Sequence, residues 1–246
     1  MCHSDESSPP SAAGAVAAGA HGETVLQASD GNRFAAYTAR AVHSNGRGVV
    51  IMPDVRGLFG FYRDLAVRFA EIGVDAVAID YFGRTAGIGD RSEAFEFRPH
   101  VDQTTPEGIA ADMAAAARYL RSLEGGAVTA IFTVGFCFGG GYSWRQSADQ
   151  PGLAGAIGFY GRPALAADRI DALRAPLLML LAGADAHLPA VDAESLAAAA
   201  EQRGVASTVV NYPGAPHSFF DRTSQENAEA SADAWRQIQA FMDRYA

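Results

Sequence analysis

At 246 residues with 49% hydrophobic content, the chain is long enough for one large α/β domain with a substantial core, and a second domain is not needed. A net charge of −9 and a pI near 5.1 leave no basic face to offset phosphate repulsion, which argues against nucleic acid or an anionic membrane as partner. Two cysteines supply neither a disulfide framework nor a metal-ligand spacing, so a reducing cytoplasm is expected, with no cofactor and no metal.

No apolar run approaches the roughly 20 residues that span a bilayer. Residues 1–21 read as a flexible tail: acidic Asp5 and Glu6 stand where a secretory signal would be basic, followed by Pro9-Pro10 and an Ala/Gly tract. Cys2-His3 are too few ligands for a metal. Residues 22–246 form the domain. Thr24 to Ala28 and Phe34 to Ala39 flank Asp30-Gly31-Asn32 and predict an antiparallel hairpin capping one sheet edge.

Gly48 to Met52 is the first fully buried strand, followed by the loop Asp54-Val55-Arg56-Gly57-Leu58. Phe61, Leu65, Phe69 and Ile72 then mark one apolar helical face, closed by Gly73. Val74 to Ile79 is the next strand, left through Asp80-Tyr81-Phe82-Gly83-Arg84. The irregular stretch from Thr85 to Pro106 is long for a compact domain and is expected to lie over a site as a partial lid. Glu107 to Leu123 predicts a helix burying Ile109, Met113, Ala116, Ala117 and Leu120.

Val128 to Val134 is a charge-free, β-branched run, and it breaks into Gly135-Phe136-Cys137-Phe138-Gly139. Glycine two positions either side of Cys137 is the requirement of a tight strand-to-helix turn that thrusts the central side chain out beside a helix N-terminus. That position favours a thiolate; the plainer reading is a buried structural cysteine. A helix over 139–147, a strand from Leu153 to Tyr160, and a strand from Ala175 to Ala182 ending in Gly183-Ala184-Asp185 follow. The helix from Ala190 to Gln202, the strand Ser207 to Tyr212, the loop to His217 and a terminal helix over 227–245 complete the chain.

Strands alternating with helices predict a mostly parallel sheet with helices on both faces, and ligands bind beyond the carboxyl ends of such strands. Asp54, Arg84, Cys137, Asp185 and His217 all fall just after strands. Cys137, Asp185 and His217 occur in the chain order nucleophile, acid, base. A thiol is only partly ionised near neutral pH, so a histidine must take its proton, with a carboxylate to hold the imidazole's tautomer. A turn-forming role competes for Asp185. His187, two residues from Asp185, is the rival base.

These motifs, Gly135-Phe136-Cys137-Phe138-Gly139-Gly140, Gly183-Ala184-Asp185 with Pro189, and His217-Ser218-Phe219, resemble the dienelactone hydrolase family of α/β-hydrolases over residues 22–246. The resemblance implies the α/β-hydrolase fold and a Cys137, Asp185, His217 triad. It also implies an oxyanion hole from the backbone N–H groups of Val55 and Phe138. Asp54 stands where the family has a glutamate that holds the resting thiol, one methylene longer. Arg84 and Arg222 fall near the family's carboxylate-binding arginines, Arg222 displaced by one residue, with Tyr81 and Ser218 beside them.

The implied activity is hydrolysis of esters or lactones in small, carboxylate-bearing substrates of the carboxymethylenebutenolide type, by a monomer or homodimer. A general carboxylesterase with the same triad and no carboxylate clamp is the alternative enzyme. A non-catalytic binding or thiol-sensing module is the alternative class.

Overall fold

The structure, a computed structural model, describes residues 3–186 and 188–246. Cys2 and His187 lie outside the described residues. The strands are β1 (Ala18–Gln27), β2 (Arg33–Ala41), β3 (Arg47–Met52), β4 (Asp75–Ile79), β5 (Ala130–Phe136), β6 (Gly155–Phe159), β7 (Leu177–Ala182) and β8 (Ser207–Tyr212). They form one sheet in the order β1-β2-β4-β3-β5-β6-β7-β8. β1 and β2 form the expected hairpin, β2 joins β4 antiparallel, and every pairing from β4 to β8 is parallel. β4, β6 and β7 are buried at every position, which is why their sequences, Asp75 at the start of β4 excepted, run apolar rather than alternating.

The helices are α1 (Gly60–Ala70), α2 (Gly83–Ala86), α3 (Arg98–Val101), α4 (Pro106–Arg121), α5 (Phe138–Asp149), α6 (Ala164–Ala167), α7 (Ala190–Glu201) and α8 (Ala228–Tyr245). One core cluster packs α1 and α8 on one sheet face, through Phe61, Leu65, Phe69, Trp235 and Ile238. The other packs α4, α5 and α7 on the opposite face, through Ile109, Met113, Trp144 and Leu196. Pro106 sits in the first turn of α4, whose end is capped by Thr105 Oγ1 accepting the Gly108 N–H at 3.1 Å. No helix among the described residues is long and apolar enough to cross a membrane.

The boundary expected for a tail over residues 1–21 is corrected, because β1 already begins at Ala18. Residues 3–17 lie along the domain, tied by Trp235 Nε1–H donating to Pro10 O at 2.9 Å, Arg222 N–H to Ser8 O at 2.8 Å and Val16 N–H to Glu71 O at 2.9 Å. Ala12 is buried in the α1/α8 core. Composition missed this because the segment forms no regular element; its anchors are single side chains and backbone groups meeting distant partners.

Sheet order positions the site. From β3 the chain moves outward through α1 to β4, then returns through α4 to β5, on the other side of β3. The exits of β3 and β5 therefore diverge at a switch point, where a crevice opens.

Candidate active site

Cys137 occupies the turn between β5 and α5 with φ 54° and ψ −111°, a backbone geometry that costs an L-residue energy. The flanking glycines make it possible. A Cβ at Gly135 would stand 2.0 Å from Gly139 O, and one at Gly139 would stand 2.1 Å from Met52 O. The Cys137 N–H is anchored on Phe159 O at 3.0 Å, leaving the half-buried thiol at the first turn of α5.

Asp185 follows β7 and His217 follows β8, neighbouring strands. His217 Nδ1 lies 2.5 Å from Asp185 Oδ2, a short contact to a carboxylate that is 2% exposed. On its other side the imidazole hydrogen-bonds the Cys137 side chain. Burial pulls the imidazolium pKa down, but the hydrogen bonds and charges of Cys137 and Asp185 outweigh it, so His217 titrates above its ordinary 6.5. His217, Asp185 and Cys137 share a cavity of about 690 Å³ with Val55, Phe138, Arg98, Val101, Arg162, Leu165 and Leu188.

Val55 and Phe138 line that cavity, and among the described residues neither backbone N–H finds an acceptor. Both are available to an oxyanion. Asp54 is buried, but its Oδ1 accepts the Arg56 N–H at 2.9 Å and its carbonyl accepts Gly57 N–H at 3.1 Å. The side chain thus shapes the Val55 loop; Oδ2 has no hydrogen-bond partner, so no bond ties it to the thiol.

The remaining expected binding residues stand elsewhere. Arg84 is clamped by Asp112, at 2.8 Å and 3.0 Å, and by Asp30 at 2.5 Å, and is not part of the cavity wall. Its sequence position was right for the sheet edge, but its guanidinium joins the hairpin to α4. Arg222 is exposed, with its backbone on Ser8, and also lies outside the wall. Tyr81 is buried, its hydroxyl donating to Asp54 O at 2.8 Å and to Pro53 O, so it props the Val55 loop from below. Ser218 adopts φ 69°, in the turn that presents His217, and does not line the cavity.

Two cations that sequence reasoning missed take the wall instead: Arg98 from α3 and Arg162 after β6. Neither pairs with a carboxylate among the described residues. Arg162 was reachable by the same strand-exit criterion that found Asp185. Arg98, inside the irregular stretch, carried no such signal. That stretch contributes Arg98 and Val101 to the wall and closes on its own base through Arg91, 2.9 Å from buried Asp80.

Among the described residues no group of three or more His, Cys, Asp or Glu could hold a metal. Residues 34–246 match the family model described as "Dienelactone hydrolase family". A Synechocystis protein named "Putative carboxymethylenebutenolidase" is 30% identical over 204 residues, covering 77% of this chain and 82% of its own length. One of the same name from Escherichia coli K12 is 26% identical over 230 residues, 88% and 84% of the two chains. The crystal structure titled "Putative Dienelactone Hydrolase" from Klebsiella pneumoniae superposes with a TM-score of 0.76 at 25% identity, covering 92% of this chain and 100% of the other.

Proposed function

Because this chain belongs to the dienelactone hydrolase family and has its α/β-hydrolase fold, we propose that it cleaves ester or lactone bonds in small carboxylate-bearing molecules through a cysteine acyl-enzyme. The observation that carries this reading is the His217 ring held between the Asp185 carboxylate and the Cys137 side chain on the wall of a cavity with two arginines.

In the proposed cycle His217 holds the thiol proton and the Cys137 sulfur attacks the carbonyl carbon. An S–C bond forms while the carbonyl electron pair moves onto oxygen, facing the Val55 and Phe138 N–H groups. The tetrahedral species collapses with cleavage of the C–O bond, and the leaving alkoxide takes the proton from His217. Water then adds to the thioester, giving its proton to His217, and the thiolate departs with the acid product free. Asp185 keeps Nδ1 protonated so that Nε2 faces the sulfur. A lactone leaves as one hydroxy acid, an ester as two products.

Arg98 and Arg162 are assigned the substrate carboxylate in place of Arg84 and Arg222. Two charge-assisted contacts at about 1.5–3 kcal/mol each correspond to about 10–100-fold in KM per arginine. Arg98→Met and Arg162→Met should raise KM for a carboxylate-bearing lactone by that factor and leave p-nitrophenyl acetate unaffected. Equal effects on both substrates would favour the carboxylesterase reading. Mass spectrometry after mixing with a slow ester should find the acyl group on Cys137. Full turnover by Cys137→Ala would overturn the triad.

A further inference from the structure

The amino-terminal segment reaches both halves of this site, although nothing in the catalytic cycle calls on it. His3 is 2% exposed, its ring stacked on Phe61 at 3.8 Å and 11°. Its Nε2 lies 3.1 Å from the Tyr160 hydroxyl, and its Nδ1 stands 3.9 Å from Asp221 Oδ2. Tyr160, the residue after β6, adopts the left-handed region at φ 34°, and its ring packs on His217 with centroids 4.6 Å apart. His3 is thus one side chain removed from the catalytic imidazole.

Two residues on, Asp5 does the same for the oxyanion loop. Arg56, the neighbour of Val55, has a side chain with no solvent exposure, stacked over Phe59. Its Nη1 donates to Asp5 Oδ1 at 2.7 Å, the one carboxylate ion-paired to it among the described residues, while Nε and Nη2 find no partner. A guanidinium cannot shed its charge, so a buried one with a single counter-ion depends heavily on that counter-ion. Asp5 Oδ2 also accepts the Glu93 N–H at 3.1 Å, and Glu93 Oε1 accepts the Asp5 N–H at 3.0 Å, which ties the segment to the stretch bearing Arg98. Ser8 N–H donates to Asp221 Oδ1 at 3.2 Å, four residues past His217.

We infer that residues 3–10 are a strap belonging to the active site: Asp5, through Arg56, positions the Val55 oxyanion donor, and His3, through Tyr160, positions the face of His217. This rests on the triad reading above. A side chain that fixes a donor or a base affects the transition state more than the bound substrate, so the strap acts on kcat rather than KM.

The test uses the full chain. Asp5→Asn keeps the shape and removes the charge; His3→Phe keeps the stack and removes the hydrogen bond. Each should lower kcat about tenfold or more with KM within about threefold, and Asp5→Glu should recover most of the loss. Asp5→Asn combined with Arg56→Met removes the orphaned buried charge. It should regain thermal stability while kcat stays low, since the tether is still missing; stability and kcat returning together would make the strap merely structural and overturn the inference. So would wild-type kcat in both Asp5→Asn and His3→Phe. Cys137→Ala is run alongside: turnover surviving there sinks the triad itself, whereas an inactive Cys137→Ala beside fully active strap variants removes the strap alone.

Discussion

Gly139→Ala probes the elbow most directly. The added Cβ would stand 2.1 Å from Met52 O and 2.3 Å from Pro53 O, where ordinary contact begins at 3.4 Å. Each backbone oxygen must retreat by roughly 1 Å, and neither belongs to a side chain that can swing aside. Overpacking of this kind costs about 1–3 kcal/mol, a fall in Tm on the order of 2–10 °C for a domain of this size. The displaced residues lead straight into Val55, so the misfit is carried to the proposed oxyanion donor. Losing one such donor lowers kcat about 10²–10³-fold. Steady-state kinetics on an activated ester, paired with calorimetry, read both effects. Gly60→Ala is the control, because nothing lies within 4 Å of a Cβ there. A Gly139→Ala enzyme matching that control in kcat and Tm would refute both the close approach of β3 to the elbow and the role given to Val55.

Arg84→Met should cost about 1.5–3 kcal/mol in a denaturant titration, because buried Asp112 loses a two-pronged partner, and should leave KM unchanged. Burial pushes the Asp80 carboxyl up to about 6 against the pull of Arg91. The folded state therefore holds that proton more tightly than the unfolded chain, and its contribution to stability, present below about pH 4, is lost as pH rises through 6. Asp80→Asn should flatten this loss of about 3 kcal/mol, read as the difference in urea midpoints between pH 4 and 7. For His217, whose pKa is raised above 6.5, the contribution is complete below 6.5 and disappears as pH climbs through the folded value. Cys137→Ser should bring the imidazole's NMR titration midpoint down, since the sulfur's charge no longer supports the imidazolium; an unmoved midpoint would deny the contact.

The candidate residues Cys137, Asp185 and His217 could be picked out of the sequence because each follows closely on a strand, at the end of the sheet where ligands bind. Leu177–Ala182 is apolar at every position, and the chain leaving it meets Asp185 at once. The glycines around Cys137 were equally legible, since their spacing answers a steric demand within a few residues of backbone. The strap was not legible. Asp5 and Arg56 are remote in sequence and share no periodicity, and an ion pair between loops leaves no local trace. His3 beside Cys2 suggested only an insufficient metal site, whereas its partners are the aromatic rings of α1 and β5, Phe61 and Phe136.

The exchange of Arg84 for Arg98 has a topological cause. A strand-exit position fixes which end of the sheet a residue occupies but not how far along the sheet it lies. The exits of β3, β5, β6, β7 and β8, consecutive in the sheet, supply Val55, Cys137, Arg162, Asp185 and His217. β4 lies on the far side of β3, so a residue leaving it, such as Arg84, meets the hairpin and α4 instead. The connection from β4 must nevertheless come back past β3 to reach β5 through α4. A segment crossing the switch point in that way brings its middle, not its start, above the crevice. Arg98 and Val101 arrive there for that reason, and any relative keeping this strand order should draw its cavity-facing cation from the middle of the same connection.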